Sequence, residues 1–275
     1  MYNPFSESES ENCTDEKLVI LVLKGNREAL EEIIQRHQNW IYNITLRMVM
    51  DPQDAEDVTQ EVLIKIITKL STFKGRSKFR TWVYRIVANH VINMKKKATE
   101  KKYVSYSVYG EMIDKVPDRD LPDQKALPVD LALVLEEIKM DCLLGMILCL
   151  SREQRLVFIL GEIFGIGDSI GGEIMNVSKD NYRQRLSRAR KKVFSFMKQK
   201  CGLVNQNNTC HCLQKSSALI EEKVVDPNKL RFTSNYKTEI NSLIEKKYSH
   251  LKNFIDEKCR QLFREHPFYD SPDYV

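Results

Sequence analysis

Little in this 275-residue chain interrupts helices, because it has only ten glycines and eight prolines. Between Lys17 and Lys102 the apolar residues recur at helical steps, broken only at Gly25, Pro52 and Gly75. The strict polar–apolar alternation of strands is almost absent there. We therefore predict an all-α fold of small helical domains.

The chain also lacks a long apolar run and a secretory signal. Its longest apolar stretch, near residues 142–150, is too short to span a bilayer, and the N-terminus is polar and acidic. The seven cysteines are an odd number, which fits free thiols better than a disulfide framework. We expect a cytoplasmic protein with mostly reduced thiols and no membrane contact.

Catalytic signatures are missing as well. We find no nucleophile–base arrangement, phosphate loop or paired-carboxylate site. The glycines from Gly165 onward do not form a dinucleotide fingerprint, because Ile170 stands where a glycine is needed and no strand precedes them. We therefore expect a protein that is not an enzyme and has no cofactor.

Charge is distributed unevenly. Residues 74–102 hold ten Lys or Arg against one acid, residues 178–200 hold nine against one, and residues 1–16 hold five acids and no Lys or Arg. Two separated basic clusters suggest two contacts with a polyanion. Two solvated helix faces are the alternative, which charge alone would favour.

The segment from Asp54 to Leu70 is predicted to be an amphipathic helix that begins at Asp51 and Pro52. Its apolar stripe is Ala55, Val58, Val62, Ile66 and Leu70. Its opposite face carries Asp54, Asp57, Gln60 and Glu61. By pattern alone this is either a binding surface or an ordinary solvated acidic face.

The next predicted helix, from about Lys78 to Lys97, places an aromatic ring among cations. One stripe is Lys78, Trp82, Arg85 and Asn89, and the buried stripe is Val83, Ile86, Val87 and Met94. Cations hold phosphates, and a ring can replace the stacking that a base loses on leaving the duplex. Trp82 as an ordinary core residue is the alternative.

Residues 24–97, with "DAEDVTQE" followed by "FKGRSKFRTWVYRIVAN", resemble region 2 of the sigma-70 family in its extracytoplasmic-function (ECF) class. The resemblance implies that Asp54, Asp57, Gln60 and Glu61 dock on the clamp helices of the RNA polymerase largest subunit. It also implies that a loop and helix read and open the promoter −10 element, through Phe73, Lys74, Lys78, Arg80, Trp82, Arg85 and Asn89. Asn93 departs from the family, which often has an acid there.

A second basic helix is predicted from the N-cap Ser178 to about Lys200. Its buried stripe is Tyr182, Leu186, Ala189, Val193 and Phe196. Residues near its start, Lys179, Asn181, Tyr182 and Arg183, are placed to reach base edges in a major groove. A basic amphipathic helix on a membrane or a partner is the alternative.

The sequence "CLSREQRLVFILGEIFGIGDSIGGEIMNVSKDNYRQRLSRARKK" resembles sigma region 4, a helix-turn-helix. The resemblance implies contact with the polymerase flap and with the −35 element, through Ser178, Lys179, Asn181, Tyr182, Arg183, Arg185 and Arg188. The first helix of the motif departs from the pattern at Gly167, Gly171 and Gly172. Since glycine inside a helix costs about 1 kcal/mol against alanine, we expect that helix to be frayed, short or stabilised only on binding.

Four soft ligands, Cys201, Cys210, His211 and Cys212, lie within twelve residues and are candidates for a zinc site. Their spacing counts against zinc, because neighbours such as His211 and Cys212 rarely bind one ion together. Free thiols or a redox-labile pair are the alternative. This segment resembles an ECF subgroup with a Cys-rich C-terminal extension.

These observations predict five parts: a disordered acidic lead (1–15), region 2 (16–102), a flexible linker (103–130), region 4 (131–200) and a Cys-containing extension (201–275) with one helix at about 237–263. The function expected is that of a sigma factor, with core RNA polymerase, promoter DNA and an anti-sigma factor as partners. The alternatives are a stand-alone helix-turn-helix regulator and a metal- or redox-sensing protein centred on residues 201–212.

Overall fold

The computed structural model describes residues 14–102, 105–233 and 255–275, and over these ranges it is helical. The helices are α1 (Asp15–Leu23), α2 (Arg27–Val49), α3 (Pro52–Lys69), α4 (Phe79–Asn93), α5 (Ala98–Lys102), α6 (Tyr106–Lys115), α7 (Leu131–Leu148), α8 (Arg152–Phe158), α9 (Asp168–Met175), α10 (Lys179–Lys200), α11 (Cys212–Glu221) and α12 (Ile255–Arg264). A backbone bridge joins Cys201 to Cys210, and no strand occurs in these ranges. The all-α prediction is confirmed.

The chain divides into two compact units. Among the described residues, the first unit combines 14–102, 150–189 and 267–275, and the second combines 105–149, 190–233 and 255–266. Packing therefore groups α8, α9 and the first half of α10 with α1–α4, although the sequence patterns assign them to different domains. The predicted bounds of regions 2 and 4 were based on a family resemblance and not on packing, and they stay a prediction.

Helices α1–α4 form a bundle whose ends are set by local capping. Asn26 caps α2 by accepting a hydrogen bond from the Ala29 amide at 2.6 Å, and Asp51 caps α3 by accepting from the Asp54 amide at 3.0 Å. Pro52 stands at the first position of α3, where its missing N–H costs nothing. The predicted apolar stripe of α3 is buried from Ala55 to Leu70 and packs against α2 and α4.

The acidic lead extends less far than predicted. Residues 1–13 lie outside the described residues, but α1 begins at Asp15, with Thr14 as its N-cap. The Asp15 carboxylate is buried and lies 3.1 Å from His37 Nε2 and 3.2 Å from Arg36 Nη1. Because these partners hold it in the bundle, Asp15 is a structural residue rather than part of a solvated lead.

The glycines of the helix-turn-helix make close packing possible. Gly171 lies within α9, and a Cβ on it would stand 2.3 Å from Tyr182 Cζ. A Cβ on Gly161, in the π-helical turn after α8, would stand 2.5 Å from Leu186 Cδ2. Gly167 is the N-cap of α9 and therefore not a helix-interior glycine. Helix α9 is short, as expected, at eight residues, but α10 packs against it through these glycines.

The segment 103–130 contains a helix that the sequence reading missed. Ser105 caps α6 by accepting from the Val108 amide at 3.3 Å, and Tyr109 and Ile113 bury one face of this helix. Tyr109 donates to the Cys142 carbonyl at 3.0 Å, and its ring stacks on Phe196 with centroids 5.7 Å apart. Tyr109 and Ile113 are enough to anchor α6, because α7 and α10 supply the rest of the core around them.

The extension is partly described. Of the predicted helix at 237–263, residues up to 254 lie outside the described residues, and α12 covers the end of it with Cys259, Leu262 and Phe263 buried. Within the ranges that the structure covers, none of the helices combines the length and the apolar character that crossing a membrane needs.

Candidate functional site

The outward face of α3 carries the four predicted docking residues. Asp57, Gln60 and Glu61 are exposed and Asp54 is half-buried, while Val58 and Val62 lie in the core. The helix repeat of 3.6 residues brings Asp57, Gln60 and Glu61 to one face. The structure therefore groups these residues as predicted, and their role as a docking surface is not tested by the geometry.

Two of the four residues are also bound within the chain. Lys97 Nζ lies 3.1 Å from the Asp54 carboxylate, and His90 Nε2 lies 3.1 Å from the Glu61 carboxylate. Burial, and then the neighbouring Lys65 ammonium, lower the pKa of His90, and Glu61 only partly opposes them. Asp57 and Gln60 therefore face solvent most openly.

Sequence reasoning missed an apolar component of this surface. Ile64 is 60% exposed and Ile67 is 37% exposed, although isoleucine usually lies inside. Ile64 follows Asp57, Gln60 and Glu61 at steps of seven, four and three, so it shares their face. We name Asp57, Gln60, Glu61 and Ile64 the acidic–apolar face. The signal was present in the sequence, since the buried stripe accounts for Val62 and Ile66 but not for Ile64.

The loop before α4 and its first turn form an aromatic cluster. Trp82 stacks on Phe79 with centroids 5.5 Å apart, and Phe73 lies 5.6 Å from Trp82. Phe79 is fully buried, whereas Phe73 and Trp82 are half-buried. The Trp82 ring is thus partly buried in the core and partly accessible to solvent.

The cations around this cluster differ in accessibility. Lys74 and Lys78 are exposed. The Arg80 guanidinium is only 12% exposed and lies 3.9 Å from the buried Asp15 carboxylate. Glu16 accepts a hydrogen bond from the Phe79 amide at 2.9 Å and so holds the start of α4. Arg80 is therefore much less available to a nucleic acid than the exposed Lys74 and Lys78.

Helix α9 covers part of α4 within the same compact unit. Arg85 Nε donates to the Glu173 carbonyl at 3.1 Å, and α4 packs against both α8 and α9. Asn89, one turn further along α4, is exposed. The stripe that the sequence predicts for DNA is therefore open at Lys78 and Asn89 and occupied at Arg85.

A buried carboxylate ties α5 to α8. Glu100 accepts from Arg152 Nη2 at 2.6 Å and Nε at 3.0 Å, and from Arg155 Nη1 at 2.8 Å. Burial alone would raise the pKa of Glu100, but these guanidinium groups outweigh burial and lower it. Glu100 is therefore ionised at neutral pH and neutralises two cations inside the unit.

The second predicted DNA surface, α10, is mostly open. Ser178 caps it by accepting from the Asn181 amide at 3.2 Å, as predicted. Lys179, Asn181, Arg183 and Arg188 are exposed. Arg183 pairs with Asp168 and Asp180, and Arg185 Nη1 lies 3.0 Å from Glu153.

Tyr182 requires a correction. We expected it to reach base edges, but it is 0% exposed and its ring rests against Gly171 in a core with Val157 and Leu186. A buried ring at the second turn of α10 cannot present its edge to a groove. Tyr182 is therefore a packing residue.

The zinc candidates lie near one another in the second unit. Gly202 donates to the Cys210 carbonyl at 2.9 Å, Cys201 is buried, and α11 begins at Cys212. Burial, reinforced by the neighbouring thiols, raises the pKa of Cys210 to about 11 and of Cys212 to about 12. Across the three described ranges, no three His, Cys, Asp or Glu side chains are arranged to hold a metal ion. The thiols are thus protonated at neutral pH, and no preformed ligand set supports the zinc hypothesis.

Comparison with known proteins gives consistent matches. Residues 33–100 match the family described as Sigma-70 region 2. The ECF RNA polymerase sigma factor SigW of Bacillus subtilis is 28% identical over 63% of this chain and 91% of the relative. The ECF RNA polymerase sigma-E factor of Escherichia coli is 29% identical over 67% of this chain and 94% of the relative. Among solved structures, CnrH in complex with the cytosolic domain of CnrY covers 67% of this chain and 97% of that chain at 18% identity, with a TM-score of 0.44.

The family match covers α3, which carries the acidic–apolar face, and the loop and first turn of α4, which carry the aromatic cluster. The named relatives are matched over almost their whole length, so the similarity extends beyond that region. These matches support the sigma factor interpretation over its alternatives: residues 33–100 match Sigma-70 region 2, and the relatives that the chain matches over almost their whole length are ECF RNA polymerase sigma factors.

Proposed function

We propose that the acidic–apolar face of α3 docks on the clamp helices of the polymerase largest subunit. The loop from Phe73 and helix α4 would read and open the −10 element, and α10 would contact the −35 element while its module binds the flap. The protein would act in the cytoplasm as a non-enzymatic specificity subunit, with an anti-sigma factor as a further candidate partner. The Cys-rich subgroup is part of the same proposal.

The observation that carries the docking proposal is the exposure of Ile64 on the same helix face as the Asp57 and Glu61 carboxylates. An isoleucine that is 60% exposed gains nothing in the free protein, but it would bury its surface against a partner. Asp57 and Glu61 beside it would attract a basic partner and exclude an acidic one. Apolar centres with charged surroundings are the usual composition of protein interfaces.

Promoter opening is assigned to the aromatic cluster. Phe73 and Trp82 are half-buried, and Lys74 and Lys78 beside them are exposed, so a displaced base could stack on a ring face while its phosphate is held. Lys78, Arg85 and Asn89 lie on the same face of α4 as Trp82. We place Arg80 in a supporting role, because Asp15 already neutralises it.

Full use of α4 requires a rearrangement. Arg85 is held by the Glu173 carbonyl of α9, so DNA contact at Arg85 needs α9 to move away. The same movement would release α10 toward an upstream site. The free protein should therefore bind promoter DNA weakly until polymerase separates the two modules.

The test is in-vitro transcription with core RNA polymerase, together with a measurement of polymerase affinity. We expect Asp57→Lys and Ile64→Lys to weaken polymerase binding at least about tenfold, as central interface residues do. The matched control is Ile20→Lys on α1, since Ile20 is 55% exposed but lies outside the face. If the wild type gives no promoter-specific transcript, the function is wrong. If Ile20→Lys and Ile64→Lys weaken binding equally, the docking face is wrong.

The proposed role of Trp82 in opening the −10 element is tested by a separate experiment. Trp82→Ala should reduce transcription from duplex promoters and recover on a template whose −10 region is already unpaired. A loss that is the same on both templates would argue against a role in opening.

A further inference from the structure

The second compact unit contains a cavity of about 300 Å³ that three separate segments enclose. Its walls come from α6 and the residue after it, from one turn of α7, and from the segment between Cys210 and Val225, which includes α11. This volume is at the lower end of the range for small-molecule sites, about 300–1,000 Å³. Protein interiors leave few voids larger than a water molecule, so a hollow of this size between packed helices is unusual.

The lining of the cavity is mostly apolar. Ile113 from α6, Ile138 from α7 and Val225 after α11 are buried and line it. Met112 and Val224 also line it, but they are 41% and 44% exposed, so they mark its mouth. A concave apolar surface that solvent can reach is the usual form of a site for a small organic molecule.

Three cysteines in the lining carry no charge at neutral pH. Burial raises the pKa of Cys142 well above its usual value, that of Cys210 to about 11 and that of Cys212 to about 12. A protonated thiol behaves as a small apolar group with a weak donor. The cysteines therefore extend the apolar lining and do not add negative charge to it.

Two charged residues of the lining are paired within the chain. Asp141 is bound by the Arg231 guanidinium. The Lys215 ammonium donates to the Val116 carbonyl at 2.6 Å and lies 3.2 Å from the Asp118 carboxylate. Because each of these charges has an opposite charge beside it, neither one favours a charged ligand in the cavity.

The other polar groups of the lining narrow the chemistry further. Lys115 and Glu222 are exposed and opposite in sign, so the cavity favours neither an anion nor a cation. Lys215 is only 8% exposed, which is rare for lysine. An ammonium carries three donors, and Val116 and Asp118 take two of them. One donor is left for an acceptor atom of a ligand.

We propose that this cavity binds a neutral, largely apolar small molecule with one hydrogen-bond acceptor, and that the bound molecule holds α11 against α6 and α7. The apolar lining covers most of the ligand, and Lys215 donates to its acceptor. Because three separate segments build the walls, a ligand that binds only the assembled cavity stabilises their packing. This site is independent of the proposed docking face on α3.

The experiment uses prodan, a neutral naphthalene dye that carries one carbonyl and emits at shorter wavelength in apolar surroundings. Titration of the full chain should show saturable binding. Met112→Glu and Val224→Glu place a charge at the mouth and should each weaken binding at least about tenfold, because the ligand would cover that charge without pairing it. The matched controls are Val108→Glu on α6 and Leu213→Glu on α11, which are 40% and 41% exposed and lie outside the lining. They should change the affinity by no more than about twofold.

Lys215→Met tests the hydrogen bond to the acceptor. The affinity for prodan should fall about tenfold, as expected for a hydrogen bond from a charged donor. The affinity for phenylnaphthylamine, a neutral dye without a carbonyl, should stay within about twofold. Equal losses for the two dyes would show that Lys215 has only a structural role and would contradict its assignment as a donor.

Two further measurements test the ligand class and the effect of binding. Decanol should displace prodan at lower concentration than decanoate does, and the reverse order overturns the neutral ligand class. Prodan should raise the melting temperature of the wild type but not that of Met112→Glu, and saturable binding without any rise contradicts the role in holding α11. No saturable binding, or equal weakening by the mouth variants and their controls, overturns the site.

Discussion

Gly171→Ala gives a quantitative test of how α9 and α10 pack. The new Cβ would lie 2.3 Å from Tyr182 Cζ and 2.6 Å from Cε2, whereas carbon atoms in contact stay about 3.5–4.0 Å apart. Tyr182 is 0% exposed, so its ring has no solvent into which to move. Overpacking of this kind costs up to about 3 kcal/mol, and the gain in helix propensity returns about 1 kcal/mol. We expect net destabilisation of about 2 kcal/mol.

The assay is urea denaturation followed by far-UV circular dichroism. Gly167→Ala is the control, because nothing lies within 4 Å of a Cβ there, and only the loss of a favourable N-cap residue is expected, at less than about 1 kcal/mol. In a double-mutant cycle, Gly171→Ala should destabilise the Tyr182→Leu variant by at least about 1 kcal/mol less than it destabilises the wild type. If Gly171→Ala stabilises the protein, as helix propensity alone would predict, or if the cycle is additive, the close packing of Gly171 on Tyr182 is wrong.

Two further predictions concern buried carboxylates. Glu100→Ala leaves Arg152 and Arg155 without their shared counterion and should destabilise the protein by about 3–5 kcal/mol in the same urea assay, whereas the exposed Glu111→Ala should have little effect. For Asp15, burial would raise the pKa, but His37 and the guanidiniums of Arg80 and Arg36 outweigh it and lower the pKa to about 2. Because the folded-state pKa is depressed, this carboxylate stabilises the fold above pH 4 and loses about 2 kcal/mol as pH falls toward 2. Asp15→Asn should flatten that part of the stability profile, and an unchanged profile would refute the assignment.

The parts of the fold that local pattern controls were predictable from the sequence. The buried stripes of α3 and α10 were confirmed from Ala55 to Leu70 and from Tyr182 to Phe196, because helical period and burial are directly linked. The Ser178 cap was confirmed for a similar reason, since a cap depends on neighbours in the chain. The candidate docking residues share a face, as their spacing required.

What depends on contacts between distant segments was not predictable. The Asp15 carboxylate beside Arg80 could not be predicted from the sequence, and the DNA contact predicted for Arg80 stays a prediction. Tyr182 was predicted both for the buried stripe and for the DNA surface, and only its burial is confirmed. The glycines of α9 looked like a weakness because their contact partner, Tyr182, lies on the next helix. Residues 267–275 pack along α2 without a signature in their sequence, since α2 holds them mostly through their backbone.

Arg152 has a consequence for what happens when the modules separate. Its guanidinium donates to the carbonyls of Ile92, Met94 and Lys95 at the end of α4. Helix-end carbonyls have no partner within their own helix, so a side chain from α8 completes the last turn of α4. Withdrawal of α8 would leave those carbonyls to water, so the last turn of α4 and the lysines that follow it would be free to fray. If α4 contacts the −10 element as proposed, withdrawal of α8 would thus let the lysines after α4 follow the path of a phosphate backbone instead of a fixed helical track.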